Sequence, residues 1–219
     1  MNHNRIIART KEKINSLYKV NLIHQKQFRG FKFVVKKLNA NIFENLHEES
    51  FKYVIWKKPR IHYIKVNTDG SVSKDYSGCG GILRNDKGNL VVAFSSPLSN
   101  CSVLFAELMA IFKALQICSS SGYFKIWIEV DAMLVINSIF SYQNDNFDTF
   151  YVLKDIKKML SHLDYKFSHI WREGNSGADF IAKTGARLNQ FTLFHQHNIP
   201  LLLRGIINLD KCGLPYIRI

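Results

Sequence analysis

Between Ile61 and Leu188 the spacing of apolar residues switches between two periods, and the switches outline a series of elements. Over Ile61–Asp69, Ile64 and Val66 alternate with polar neighbours, which is the period of a strand. Gly70 is expected to end it, because a residue without Cβ turns the chain at no steric cost. Cys79–Asn85 reads as a second strand, and its Gly80-Gly81 pair suggests a tight backbone approach. Asp86-Lys87-Gly88-Asn89 has the composition of a hairpin turn and leads to a third strand, Leu90–Ser95. The period then becomes helical. Ser102 is placed to cap a helix over Val103–Ser119, with Leu104, Leu108, Ile111, Leu115 and Cys118 on one stripe. Phe124–Val130 is almost continuously apolar toward its end, as in a strand covered on both faces. Helices follow over Ala132–Phe140 and Phe147–Leu163, then a fifth strand over Tyr165–Trp171. Asn175 is placed to cap a last helix, Ser176–Leu188.

The order βββαβα(α)βα over residues 61–190 predicts an α/β domain. A three-strand meander followed by alternating helices and strands implies a mixed five-stranded sheet with helices on both faces. The flanks are less legible. Residues 1–60 show loosely helical spacing at Glu12–Tyr18 and Lys36–Lys58, and Trp56–Arg60 reads as the end of a linker. Residues 191–219 form a tail that packs on the domain or trails from it.

Charge changes this picture at one end. The net charge of +13 is concentrated in residues 1–60, where 14 Lys and Arg face 4 Asp and Glu. Residues 61–219 hold 16 and 13. A polyanionic partner suits the N-terminal segment, and so does a solvated basic arm. No stretch of eighteen apolar residues and no secretory leader is visible, so an intracellular protein without a membrane partner is expected. A monomer is expected as well. The four cysteines make no C-x-x-C pair and no zinc spacing, which suits reduced, packed thiols.

The candidate chemistry lies in four acids. Glu107 falls on the apolar stripe of its helix, three residues from Leu104 and four from Ile111, where an unpaired charge is costly. Asp69 stands where the first strand should end, although Asp-Gly is also a common turn. Asp131 follows the fourth strand, where an N-cap is the plainer explanation, and Glu129 two residues earlier competes for the same place. Asp179 lies in the first turn of the last helix, where the helix dipole already favours an acid. Together they are harder to explain singly, because strands and helices of this order bring them to one end of the sheet. Clustered carboxylates repel by roughly 4 kcal/mol per close pair at an effective dielectric of 20. Either their pKa values rise or cations sit among them. Oxygen ligands without His or Cys favour Mg²⁺, with Mn²⁺ as the other candidate.

Five blocks in order resemble a known family: Asn67-Thr68-Asp69-Gly70-Ser71, Gly78-x-Gly80-Gly81-Ile82-Leu83-Arg84-Asn85-x-x-Gly88, Ala106-Glu107-Leu108-x-Ala110, Glu129-x-Asp131, and Trp171-Arg172-Glu173-Gly174-Asn175-x-x-Ala178-Asp179. The set is similar to the type 1 ribonuclease H domain, in the plant version associated with reverse transcriptases of non-LTR retrotransposons. The resemblance implies a ribonuclease H-like fold over residues 61–190 and a catalytic, metal-binding set of Asp69, Glu107, Asp131 and Asp179. It implies two Mg²⁺ ions, one activating a water and one stabilising the leaving 3′ oxygen, and cleavage of the RNA strand of RNA/DNA hybrids. Gly70, Ser71, Arg172 and Asn175, inside the matching blocks, are the candidate substrate contacts. Bacterial and retroviral members carry a His in the loop before the last helix, whereas Arg172–Gly177 holds none. His169 falls inside the fifth strand and is expected to be structural. The alternative is a nucleic-acid-binding relic of a retroelement with weak or no catalysis.

Overall fold

A computed structural model describes residues 52–141 and 147–218, together with Glu12 and Ser16. Glu12 and Ser16 are helical, with Ser16 Oγ donating to the Glu12 carbonyl at 2.8 Å. The rest of the helix expected at Glu12–Tyr18, and most of the Lys36–Lys58 pattern, lie outside the described residues. The chain divides into two units. Val54–Tyr216 holds the main sheet, its helices and the candidate acids, and Met1–Tyr53 with Ile217–Ile219 forms the other.

In chain order the elements are β1 (Lys52–Val54), β2 (Ile64–Val72), β3 (Ser77–Arg84), β4 (Leu90–Leu98), α1 (Val103–Ser120), β5 (Lys125–Val130), α2 (Met133–Phe140), α3 (Phe147–Leu160), β6 (Asp164–His169), a 3₁₀ turn (Arg172–Asn175), α4 (Ser176–Gly185), β7 (Thr192–Phe194), α5 (Leu201–Lys211) and β8 (Tyr216–Arg218). β1 and β8 pair with each other. The main sheet has six strands in the order β6-β5-β2-β3-β4-β7. The expected count of five is therefore too low: β7, from the tail, pairs antiparallel with the outer side of β4. β2, β3 and β4 form the antiparallel meander, while β5 and β6 run parallel to β2. The mixed sheet with helices on both faces is as the sequence implied.

Two cores sandwich it. On one face α1, α2 and α3 bury Leu108, Ile111, Leu115, Val135, Leu153 and Ile156 against Ile64, Val66, Leu83 and Ile128. α1 is long and apolar enough to match a membrane span by composition, yet its stripe packs on the sheet. Its N-terminus is capped as expected, since Ser102 Oγ accepts from Phe105 N at 3.2 Å. On the other face Ile181 of α4 and Leu203 and Ile207 of α5 pack on Ile82 and Ala93. The tail thus contributes both a strand and a helix.

Gly70 does not stop β2. The strand runs through it to Val72, and Gly70 pairs with Cys79. What Gly70 provides is room, because a Cβ there would sit 2.5 Å from the backbone nitrogen of Glu107 and 2.7 Å from the carbonyl carbon of Ala106. The tight approach expected at Gly80-Gly81 is present: a Cβ on Gly80 would lie 2.7 Å from Ala182 N. Trp56 is no linker residue. It is 2% exposed and packs with Val54 and Ile170.

Candidate functional site

β2 alternates, so Lys65, Asn67 and Asp69 share one face and lie opposite Arg84, Ile82 and Gly80 of β3. β5 runs parallel beside β2 with Glu129 in register with Asn67. Two residues further on, past the end of β5, the chain reaches Asp131 beside Asp69. Glu107, in the second turn of α1, arrives from the helix that Gly70 admits. One carboxylate oxygen from each of Asp69, Glu107 and Asp131 lies within 4.8 Å of the others.

The environment of these three is hostile to charge. Asp69 and Glu107 are buried, and Asp131 is half-buried. Burial, and then repulsion from Asp131 and Asp179, raises the Asp69 carboxyl to about 7. Burial, and then Asp69 and Asp131, raises Glu107 to about 9. Asp131 is raised by burial too, with its own backbone, the Asn175 amide and Arg172 pulling the other way. Glu107 Oε2 is buried with no hydrogen-bond partner. Buried polar atoms nearly always have one, so this oxygen faces a place for something else.

Asp179 stands at the rim. It lies in the first turn of α4, near enough to raise Asp69 and Asp131. Its oxygens are occupied by Arg172 Nη2 at 3.3 Å and Lys183 Nζ at 2.6 Å, both from exposed side chains. Among the described residues the structure brings three of the four expected acids into direct contact range and holds the fourth beside them.

The expected substrate contacts divide. Gly70 and Ser71 are half-buried and Arg172 is exposed next to the carboxylates. Asn175, the fourth expected substrate contact, is 1% exposed, and its amide makes three hydrogen bonds inside the protein. Its Oδ1 accepts from Asn67 Nδ2 at 3.2 Å, and its Nδ2 donates to the Thr68 carbonyl at 3.0 Å and to Asp131 Oδ1 at 3.4 Å. It occupies the N-cap position of α4 but makes no side-chain cap bond. Asp131 is no cap either: Ala132 precedes α2, with no side-chain cap bond.

Glu129, the rival of Asp131, belongs to a buried network behind the three acids. Lys65 Nζ lies 2.8 Å from its Oε2, Asn67 Nδ2 donates to the same oxygen at 3.1 Å, and Ser168 Oγ donates to Oε1 at 3.2 Å. His169 ends β6 with Nε2 3.0 Å from the Asp131 carbonyl and its ring edge-on to Trp171. Sequence reasoning missed the two buried cations of this face. Lys65 lies over the Trp127 ring at 3.9 Å, and the Arg84 guanidinium lies over Trp56 at 3.6 Å. A signal existed: three polar residues, Lys65, Asn67 and Asp69, recur on one face of a strand expected to be central.

A family model described as reverse transcriptase-like matches residues 67–185, just over half of the chain. An Arabidopsis thaliana protein named "Putative ribonuclease H protein At1g65750" is 24% identical over 186 residues. That match takes in 82% of this chain and 30% of the Arabidopsis protein, so the chain spans less than a third of that relative. Among solved structures, RNase H1 from the halophilic archaeon Halobacterium salinarum superposes with a TM-score of 0.53 at 20% identity, covering 56% of this chain and 96% of that one. LC11-RNase H1, isolated from compost by a metagenomic approach and solved in complex with an RNA/DNA hybrid, gives 0.52 at 20% identity, with coverages of 56% and 96%. These likenesses establish the fold.

Proposed function

Because the chain belongs to the reverse transcriptase-like family and carries the ribonuclease H fold, we propose that it is a divalent-metal-dependent endonuclease cutting the RNA strand of RNA/DNA hybrids. The observation that carries this reading is the meeting of Asp69, Glu107 and Asp131 within 4.8 Å, with one Glu107 oxygen left unpartnered. The donor set fits Mg²⁺ or Mn²⁺: it is all oxygen, and its raised pKa values record charge that a cation would relieve. Asp69, Glu107 and Asp131 would hold the metal, with Asp179 as the fourth ligand. Bound there, two such ions supply Lewis-acid stabilisation of the attacking and leaving oxygens of a phosphodiester.

The chain's own residues do the rest. Gly70 sets how far α1 can bring Glu107 toward Asp69. Asn175 donates to one oxygen of Asp131, Oδ1, at 3.4 Å. Arg172, exposed and close to Asp69, Asp131 and Asp179, offers a cation to a backbone phosphate. The hybrid complex of LC11-RNase H1 supports a duplex partner of this class. Selection of RNA over DNA then rests on 2′-hydroxyls and duplex shape.

Two features favour the second reading, a binding module with slow or no turnover. The Arg172–Asn175 turn has no His, and Asp179 is neutralised by Arg172 and Lys183. Incubating a labelled hybrid with Mg²⁺ or Mn²⁺, wild type against Asp69→Asn, separates the two. We expect cleavage by the wild type and loss of most of it in the variant. Binding without cleavage at high enzyme concentration establishes the second reading instead.

A further inference from the structure

Asn67 uses every hydrogen-bonding position its amide possesses. Its Oδ1 accepts from Trp56 Nε1 at 2.9 Å and Arg84 Nη2 at 2.8 Å. Its Nδ2 donates to Glu129 Oε2 at 3.1 Å and to Asn175 Oδ1 at 3.2 Å. An indole N–H and a guanidinium only donate, and an ionised carboxylate only accepts. The amide therefore has a single workable orientation. A consequence passes to its neighbour. Asn175 must turn Oδ1 toward Asn67, so its Nδ2 is left for the Thr68 carbonyl and Asp131. The direction of the bonds along this line is set by Trp56 and Arg84 at the end remote from Asp131, and the Thr68 carbonyl, which only accepts, agrees with it.

That remote end lies on α5. Arg84 Nη1 donates to Asp210 Oδ2 at 2.6 Å, and Tyr216 Oη donates to Asp210 Oδ1 at 2.6 Å. Arg84 and Asp210 are both almost fully buried. Asp210 sits beyond residue 185, where the family match ends. The 3₁₀ turn that carries Asn175 is itself pinned, since a Cβ on Gly174 would lie 2.6 Å from Ile170 Cδ1 and 2.7 Å from Val54 Cγ1.

We infer that Asn175 is a positioning residue for the Asp131 carboxylate, and that Asp210 on α5, acting through Arg84 and Asn67, fixes how Asn175 is presented. The C-terminal helix is then part of the support of the site as well as a cover for the sheet. This inference rests on the role proposed for Asp131.

The test uses the full chain with Asn175→Ala, Asp210→Asn and the double variant. Three quantities are read on protein shown by melting to be folded: kcat and KM on a labelled hybrid, the Mn²⁺ dissociation constant by calorimetry, and the Asn175 side-chain amide signals by NMR. Residues that orient a metal ligand typically contribute about 10–100-fold. Asn175→Ala is expected to lower kcat and Mn²⁺ affinity on that scale, with KM for the hybrid nearly unchanged. Asp210→Asn should move both in the same direction by less and shift the Asn175 amide signals. The double variant should be no worse than Asn175→Ala alone, because coupled residues are not additive. Additive losses, or a melting loss with kcat and Mn²⁺ affinity untouched, overturn the inference and leave a purely structural network. If Asp210→Asn does not fold, Tyr216→Phe replaces it, and unmoved Asn175 amide signals then overturn the inference. A wild type that neither cleaves nor binds Mn²⁺ defeats the proposed function, and the amide signals still decide whether α5 governs Asn175.

Discussion

Asp69 and Glu107 carry a liability that can be measured without substrate. Their folded values, about 7 and about 9, stand above the ordinary carboxylate range of about 4. Below pH 4 both states of the protein are protonated at these groups, and the stability they contribute is fully present. As pH rises the unfolded chain ionises first, so the folded state loses stability, up to about pH 7 through Asp69 and up to about pH 9 through Glu107. In EDTA the melting temperature should therefore fall between pH 5 and pH 9, and Mg²⁺ should flatten the fall by binding only the folded site. Asp69→Asn removes one charge from the cluster, so it should lose part of both effects. Identical melting profiles for wild type and Asp69→Asn, with and without Mg²⁺, would show that these acids neither repel nor bind as the geometry requires. Sequence alone brought all four acids forward, since an acid on an apolar stripe or at a strand end is visible in the spacing. It did not separate caps from ligands. Asn175 and Asp131 look like caps because a small polar residue before a helix usually is one. Only the fold shows that Asn175 turns inward and that Ala132, not Asp131, precedes α2.

At the scale of elements, the site depends on how closely α1 approaches β2. Gly70→Ala puts a Cβ 2.5 Å from the backbone of Glu107, and backbone cannot yield as a side-chain tip can. Overpacking of this kind typically costs about 1–3 kcal/mol. The helix that must move carries Glu107, so the variant should lose the Mg²⁺-dependent rise in melting temperature along with stability. Gly205→Ala is the contrast. Gly205 lies in α5, exposed, with nothing within 4 Å of the new Cβ, so the same substitution should stabilise by up to about 1 kcal/mol. Denaturant titration of the two variants reads the opposite signs directly, and a neutral Gly70→Ala would show that the approach has slack. Gly70 also illustrates the limits of a sequence reading, because a strand end and a close approach both call for glycine. The core elements were legible because periods two and 3.6 persist over six to eighteen residues. β7 and α5 were not. β7 has three residues, too few for a period, and in Leu201-Leu202-Leu203 only Leu203 is buried, which hides the stripe it shares with Ile207.

For the molecule as a whole, charge and chemistry sit in different parts of the chain. The carboxylates lie within Val54–Tyr216, while residues 1–60 carry a net +10 and residues 61–219 a net +3. A nucleic-acid partner would feel both parts, but through different physics. Each cation that reaches a phosphate releases counterions and adds about 0.7–0.9 to the slope of log affinity against log salt. Deleting residues 1–51 removes 10 Lys and Arg with 4 Asp and Glu. If the N-terminal segment engages the duplex, the shortened chain should bind hybrid less tightly at low salt and with a shallower salt slope. Its kcat at saturating hybrid should be unchanged, because Asp69, Glu107, Asp131 and the two cores that position them are all retained. Filter binding across a salt series, paired with single-turnover cleavage, reads both quantities. An unchanged slope would assign all the electrostatic contact to the retained residues, and a fall in kcat would mean that the basic segment acts on the carboxylates as well as on the duplex.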